Sequence, residues 1–196
     1  MFIELTDILR CPQPHEEQYL VLIPDEMVER SIRSGRLGCP VCHREYPIRD
    51  GVVEFTDGEP AAIDHRDLGL EAGALAAFLG LSGPGGYVGL VGASATLGAE
   101  LISEVPGVHF VGVNPPARSS ELTMLSLVRA GSIPVKSRAL RGVVLLGPYA
   151  AVPSWRDEAA RVVLPGLRVV GQGGPPDQAG LEVLASAGGW WVTQKG

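Results

Sequence analysis

Tyr87-Val88-Gly89-Leu90-Val91-Gly92-Ala93-Ser94-Ala95-Thr96-Leu97-Gly98 reads as a buried strand, a glycine turn and the opening of a helix. A helix over Leu97–Val105 follows, then a second strand over Val108–Val113 and a second helix over Ser120–Ala130. Gly142–Leu146 and Arg168–Val170 read as strands flanking a helix over Ser154–Val163, and Trp190-Trp191-Val192-Thr193 as a last strand. Continuous apolar strands alternating with helices predict a mostly parallel sheet covered on both faces, a Rossmann-like α/β domain. In such a sheet a ligand lies outside the carboxyl end of the first strand, where glycines let the backbone approach it. Gly92, Ser94 (where a central glycine would fall) and Gly98 are the candidate ligand-binding residues of that loop. Two glycines make a weak motif, and a plain strand-to-helix turn is the competing reading.

Upstream, Ser82-Gly83-Pro84-Gly85-Gly86 breaks the chain after a short apolar helix over Gly69–Leu79. Residues 57–68 hold no sustained periodicity and read as a linker. Residues 1–56 then form a separate, α+β module and residues 69–196 the α/β domain. Within the first module Gln18–Ile23 and Val52–Phe55 read as strands, the latter after the turn signal Arg49-Asp50-Gly51. Pro24-Asp25-Glu26 predicts the start of a helix that Gly35 closes.

The chain has three cysteines, two of them in Cys39-Pro40-Val41-Cys42. With no basic flank or cleavage site after Met1 to mark a signal peptide, that spacing favours metal or redox chemistry over disulfides and points to a cytoplasmic protein. Structural zinc takes four nitrogen or sulfur ligands from two tight knuckles. Cys39 and Cys42 make one knuckle. Cys11-Pro12-Gln13-Pro14-His15 can make the other, so Cys11, His15, Cys39 and Cys42 are the candidate metal ligands. A redox pair of Cys39 and Cys42 is the alternative, but Pro40 and the following Tyr46-Pro47 do not open a helix as thioredoxin-type motifs do.

Residue fractions of 45% hydrophobic and 19% charged describe a globular chain, and no apolar run is long enough to span a bilayer. A net charge of −6 argues against a broad nucleic-acid surface. The basic run Arg129, Lys136, Arg138, Arg141 reads as a solvated loop. No nucleophile constellation stands out. His109 alternates with apolar neighbours and reads as a structural residue, and Trp155, Trp190 and Trp191 as core or interface packing.

Leu5-Thr6-Asp7-Ile8-Leu9-Arg10-Cys11-Pro12, then Leu37-Gly38-Cys39-Pro40-Val41-Cys42, then Tyr46-Pro47-Ile48-Arg49-Asp50-Gly51-Val52 resemble the zinc-ribbon family of methyltransferase activators. One position departs: Pro14 stands where that family carries its second cysteine, and His15 follows it. Residues 85–172 resemble class I S-adenosylmethionine-dependent methyltransferases in the order of their segments, ending in Arg161-Val162-Val163-Leu164-Pro165-Gly166-Leu167-Arg168-Val169-Val170. That resemblance implies S-adenosylmethionine as cofactor and adds Asn114, at the position of the ribose-binding acid, to the candidate ligand residues. Here too the departures fall on the chemistry. Leu90 replaces the acid near the end of the first strand, Asn114 the ribose acid, and Arg141 the acid at the start of the fourth. Asn114-Pro115-Pro116 mimics the Asn-Pro-Pro-Tyr motif of amino-methylating enzymes but follows the second strand, not the fourth.

The resemblances together imply a zinc-binding, non-catalytic scaffold whose ribbon docks on a methyltransferase, on its own second domain or on a second copy. A divergent S-adenosylmethionine-dependent methyltransferase is the alternative. An open crevice with a free acid, for example Glu100, would favour the enzyme; a filled one, the scaffold.

Overall fold

The computed structural model describes residues 1–56, 69–117, 119–177 and 179–196. The linker reading falls outside those residues.

The first segment is an antiparallel meander of β1 (Val21–Val28), β2 (Ser31–Gly38), β3 (Glu45–Arg49) and β4 (Val52–Glu54), preceded by a 3-10 turn over Ile3–Asp7. The helix expected from Pro24 to Gly35 is therefore a hairpin. Glu29 turns the chain with φ 53°, and β1 pairs with β2 from Val21↔Gly38 to Val28↔Ser31. Pro24 fits because β1 is the sheet's edge, where a missing N–H costs no ladder bond. Gly35 does not end a helix. It sits at φ 149°, where a Cβ would lie 2.6 Å from the Ile23 carbonyl, so the two strands close only on glycine.

After α1 (Ala72–Leu79) the α/β part runs β5 (Tyr87–Val91), a 3-10 turn over Gly92–Leu97, α2 (Gly98–Glu104), β6 (His109–Val113), β7 (Leu125–Arg129) and β8 (Leu140–Leu145). Short α3 (Pro148–Ala151), α4 (Pro153–Val162), β9 (Val163–Gln172), β10 (Leu181–Ala187) and β11 (Trp190–Lys195) complete it. The helix expected over Ser120–Ala130 is the strand β7. Its local propensity yields because Leu125, Ser126, Leu127 and Val128 are all buried, on both faces of a central strand.

One eleven-stranded sheet results, in the order β1-β2-β3-β4-β7-β6-β5-β8-β9-β11-β10. Counted from β5, the last seven strands lie 3-2-1-4-5-7-6, with β11 antiparallel to its neighbours. The order reverses between β6, β5 and β8, which makes the switch point of a doubly wound sheet. The meander joins that sheet directly. β4 pairs in parallel with β7, Val52↔Leu127 to Glu54↔Arg129, and the Phe55 amide extends the ladder to the Arg129 carbonyl at 2.7 Å.

The two faces are covered differently. Val88, Leu90, Phe110, Leu125, Leu127 and Val144 pack with Leu75 and Leu79 of α1 and Leu101 of α2. On the other face Val111, Val113, Val128 and Val143 share one core with Met1, Leu5, Leu9, Cys11, Ile32 and Leu37 of the first segment. Among the described residues no helix connects β6 to β7 or β7 to β8. The N-terminal segment lies where such helices would. Its joints are polar as well: Arg10 N–H donates to the Pro134 carbonyl at 3.1 Å, Phe2 N–H to Ser126 Oγ at 3.0 Å and Tyr87 Oη–H to the Glu4 carbonyl at 3.0 Å.

Because Leu9 is fully buried in that shared core, Leu9→Ala is expected to cost about 2–5 kcal/mol. All three tryptophans lie beyond residue 150, so their emission reports on the α/β part alone. Thermal unfolding followed by tryptophan emission should shift to lower temperature in Leu9→Ala as one transition; an unshifted curve would mean that the two parts unfold independently.

Candidate metal centre and ligand crevice

Cys11, His15, Cys39 and Cys42 converge, with their ligand atoms all within 4.8 Å of one another. Cys11 Sγ is 3.7 Å from Cys42 Sγ, and Cys39 Sγ is 3.4 Å from His15 Nε2. A tetrahedral zinc with bonds of about 2.3 Å to sulfur and about 2.0 Å to nitrogen separates its ligands by about 3.8 Å (S–S) and about 3.5 Å (S–N). The cluster fits that ion.

The surroundings prepare each ligand. The backbone amide of Arg44 donates to Cys42 Sγ and that of Gln13 to Cys11 Sγ, the pattern by which a tight knuckle holds thiolates. Cys42 is pulled down to about 7, first by the Arg44 amide and then by Cys39, His15 and Cys11. Burial pushes Cys11 up, and Tyr46 Oη, 3.1 Å away, works against it. Burial, with Cys11 beside it, also raises Tyr46, which keeps the phenol protonated as a donor to that sulfur. His15 Nδ1 lies 2.7 Å from the Glu16 carbonyl, which can only accept, so the proton sits on Nδ1 and the Nε2 lone pair faces the sulfurs. Around the second knuckle His43 takes φ 57° and its amide closes the turn on the Cys39 carbonyl at 3.0 Å.

The ligand crevice is another matter. Gly92 has φ 72°, as a loop that approaches a ligand with its backbone would, but Tyr149 lies on it: a Cβ at Gly92 would meet ring atoms of Tyr149 at 2.8 Å. Tyr149 rides on α3, and its ring packs edge-on to Trp155 with centroids 4.7 Å apart. Burial raises its pKa, against a hydrogen bond from Asn114 that lowers it.

Asn114 is itself buried and engaged. Its Nδ2 donates to the Ala130 carbonyl at 2.7 Å and its Oδ1 accepts from the Ala130 amide at 2.9 Å, which fastens the ends of β6 and β7 together. Ser94 is fully buried, with its hydroxyl donating to the Val91 carbonyl at 3.0 Å. Gly98 lies under Leu125, whose Cδ2 would be 2.6 Å from a Cβ there. Leu90 is fully buried in the apolar core, and Glu100 is exposed on α2. The four candidate ligand residues are thus near the switch point, each occupied with internal packing or bonding.

The other sequence candidates resolve similarly. His109 is held between Phe2 and Tyr87 at centroid distances of 4.4 and 5.4 Å; burial lowers its pKa, and Nε2 has no hydrogen-bond partner among the described residues. Three members of the basic run are tied to the protein rather than solvated. Arg129 pairs with Glu54, Lys136 lies over the Tyr19 ring, and Arg141 holds the carbonyls of Ser82, Gly83, Pro84 and Gly85. Sequence reasoning missed Tyr46 and Tyr149 as site residues. The available signal for Tyr149 was Gly147-Pro148, a turn followed by a helix-starting proline, which sends the next side chain back towards the switch point.

Residues 3–51 match the profile of the Trm112p-like protein family. No curated protein sequence matches the chain. Among solved structures, the complex of the Haloferax volcanii Trm112 methyltransferase activator with a putative methyltransferase is similar at 13% identity and a TM-score of 0.41, over 50% of each chain. Geranyl diphosphate C-methyltransferase from Streptomyces coelicolor is similar at 16% identity and TM-score 0.44, over 51% of this chain and 43% of that one. The antibiotic-resistance methyltransferase Kmr is similar at 15% and 0.45, over 64% and 93%. The chain therefore spans about half the length of the first two.

Two outcomes are expected. Elemental analysis should find one zinc per chain, and His15→Ala, by removing one of four ligands, should weaken retention against a competing chelator by roughly a hundredfold or more; wild-type protein that takes up no zinc would refute the assignment. Asn114→Ala should lower stability to chemical denaturant by about 2–4 kcal/mol, because two buried backbone groups lose their partner. An asparagine that served only a ligand would leave the denaturation curve unmoved.

Residues 3–51 thus match the Trm112p-like family model, and the strands that follow form a doubly wound α/β sheet in the order 3-2-1-4-5-7-6.

Proposed function

We propose that this chain is a non-catalytic scaffold protein, in which a zinc-loaded ribbon of activator type supports a methyltransferase-like domain within the same polypeptide. Zinc is held by Cys11, His15, Cys39 and Cys42. The unit boundaries lie at residues 1–56 and 69–196, with residues 57–68 between them. In the activator resemblance the ribbon serves a methyltransferase; here β4 is already paired with β7 of its own chain, so that role is taken in cis.

The observation that carries the non-catalytic reading is Tyr149 seated on Gly92. A cofactor with an adenosyl group and a positive sulfonium needs room at this turn and acids to orient it. Tyr149 takes up the room, and Leu90 and Asn114 supply no charge. The second reading, a divergent S-adenosylmethionine-dependent methyltransferase, draws support from Gly92 keeping the positive φ of a ligand loop. It requires Tyr149 to swing away, with Gly147 at φ 61° as the pivot.

Calorimetric titration of S-adenosylmethionine into zinc-loaded protein separates the two. No heat is expected up to millimolar ligand, with the wild type and with Tyr149→Ala alike, since removing the ring restores space but no carboxylate. Micromolar binding by the wild type would overturn the scaffold reading. Binding by Tyr149→Ala alone would mean that the tyrosine, not the lost acids, closes the crevice.

A further inference from the structure

β10 extends the sheet beyond α1 with six of its seven residues exposed, whereas Trp190 and Val192 of β11 are buried with Leu75 and Leu79 of α1, and among the described residues the β9–β10 connection, Gly173 to Gly180, contains no helix. A groove of about 330 Å³ remains on that face. Ala77 and Phe78 of α1 form one wall, Trp190 and Val192 the floor, and Leu184, Ala185 and Ala187 of β10 the other wall. Leu184 in that wall is 44% exposed. The volume and the aromatic, apolar lining are those of a small-molecule site rather than of a packing defect.

One charged residue, Arg168 of β9, stands among the described lining residues. Its Nη1 donates to the Ala77 and Phe78 carbonyls at 3.3 and 3.1 Å, which answers the negative end of α1. A guanidinium carries five N–H donors in a rigid fork, and among the described residues the edge formed by Nε and Nη2 makes no hydrogen bond, which suits a planar two-oxygen acceptor. No acid lines the groove among the described residues. We infer that this groove binds a small amphiphilic carboxylate, its apolar chain between Phe78, Leu184 and Trp190 and its carboxylate on the outer edge of Arg168. The site is remote from the zinc cluster and from the switch-point crevice in sequence and lining. It stands whether or not the chain is an enzyme.

Decanoate is the probe, with about the number of heavy atoms that a cavity near the lower limit of ligand sites holds, and 1-decanol is the control that lacks the charge. Binding is followed by amide and indole N–H shifts in two-dimensional NMR of the zinc-loaded chain. Decanoate is expected to shift Phe78, Ala185 and the Trp190 indole, and to bind about tenfold or more tightly than decanol, as a charge-assisted bidentate contact implies. Arg168→Gln should abolish that preference while leaving decanol binding in place, and Arg168→Lys should restore part of it. Leu184→Glu, at an exposed position that the fold tolerates, should repel decanoate. Equal affinity for decanoate and decanol, a preference that survives Arg168→Gln, or no shifts at these residues would each overturn the inference.

Discussion

The parallel pairing of β4 with β7 is the contact on which the rest of the molecule depends. A doubly wound sheet must have both faces covered, because its strands are apolar on both. Here the connections on either side of β7 supply no helix among the described residues, and a sheet left so would expose Val111, Val113 and Val128. Three residues of β4 set the register that brings Met1, Leu5 and Leu9 over those valines. Part of the sheet's covering comes from the N-terminal segment. The metal cluster gains its importance from the same arrangement. Cys11 and Cys39 belong to the core that holds Leu9 and Val135, so an ion that fixes the two knuckles also fixes the covering of the sheet.

The crevice combines the backbone shape of a ligand loop with internal packing. Gly92 keeps its positive φ, and the strand order keeps its reversal, yet the polar atoms that would meet a ligand there bond to the protein. Asn114 shows why an amide suits this position. A carboxylate could accept the Ala130 amide but could not donate to the Ala130 carbonyl, whereas the asparagine amide does both and ties two strand ends together. Tyr149 then lies over the turn, with Trp155 behind its ring. The crevice has the packing of a core rather than of a seat.

What could be read in the sequence was what local spacing determines. Cys39 and Cys42 form a knuckle by themselves, and β5 and β6 are continuous apolar runs, so both were legible. The convergence of His15 with Cys39 was legible as a chemical possibility, since the segment offers only five cysteine and histidine side chains, Cys11, His15, Cys39, Cys42 and His43. The segments from Pro24 to Gly35 and from Ser120 to Ala130 were not. Each contains good helix formers, and each is a strand because a distant partner demands it: β2 turns back on β1, and β7 is clasped between β4 and β6. β10, with a bulge between Val183 and Ala185 and six of its seven residues exposed, has no burial pattern by which alternation could reveal it. Tyr149 was legible as a turn residue but not as a plug, because its neighbour Gly92 lies more than fifty positions away.

The two faces of the sheet thus solve one problem in two ways, and the difference locates the surfaces open to other molecules. Where helices are missing beside β7, the ribbon closes the gap with buried apolar side chains and a ladder of backbone bonds. Between β9 and β10 no helix lies among the described residues, β10 stays largely exposed, and Phe78, Leu184 and Trp190 line a groove beside Arg168. An apolar surface next to one fixed charge selects among ligands better than either alone: the surface rewards any apolar group, and the charge rejects those without a matching acceptor. On the inference drawn above, the groove beside Arg168 rather than the packed switch point is the recognition site.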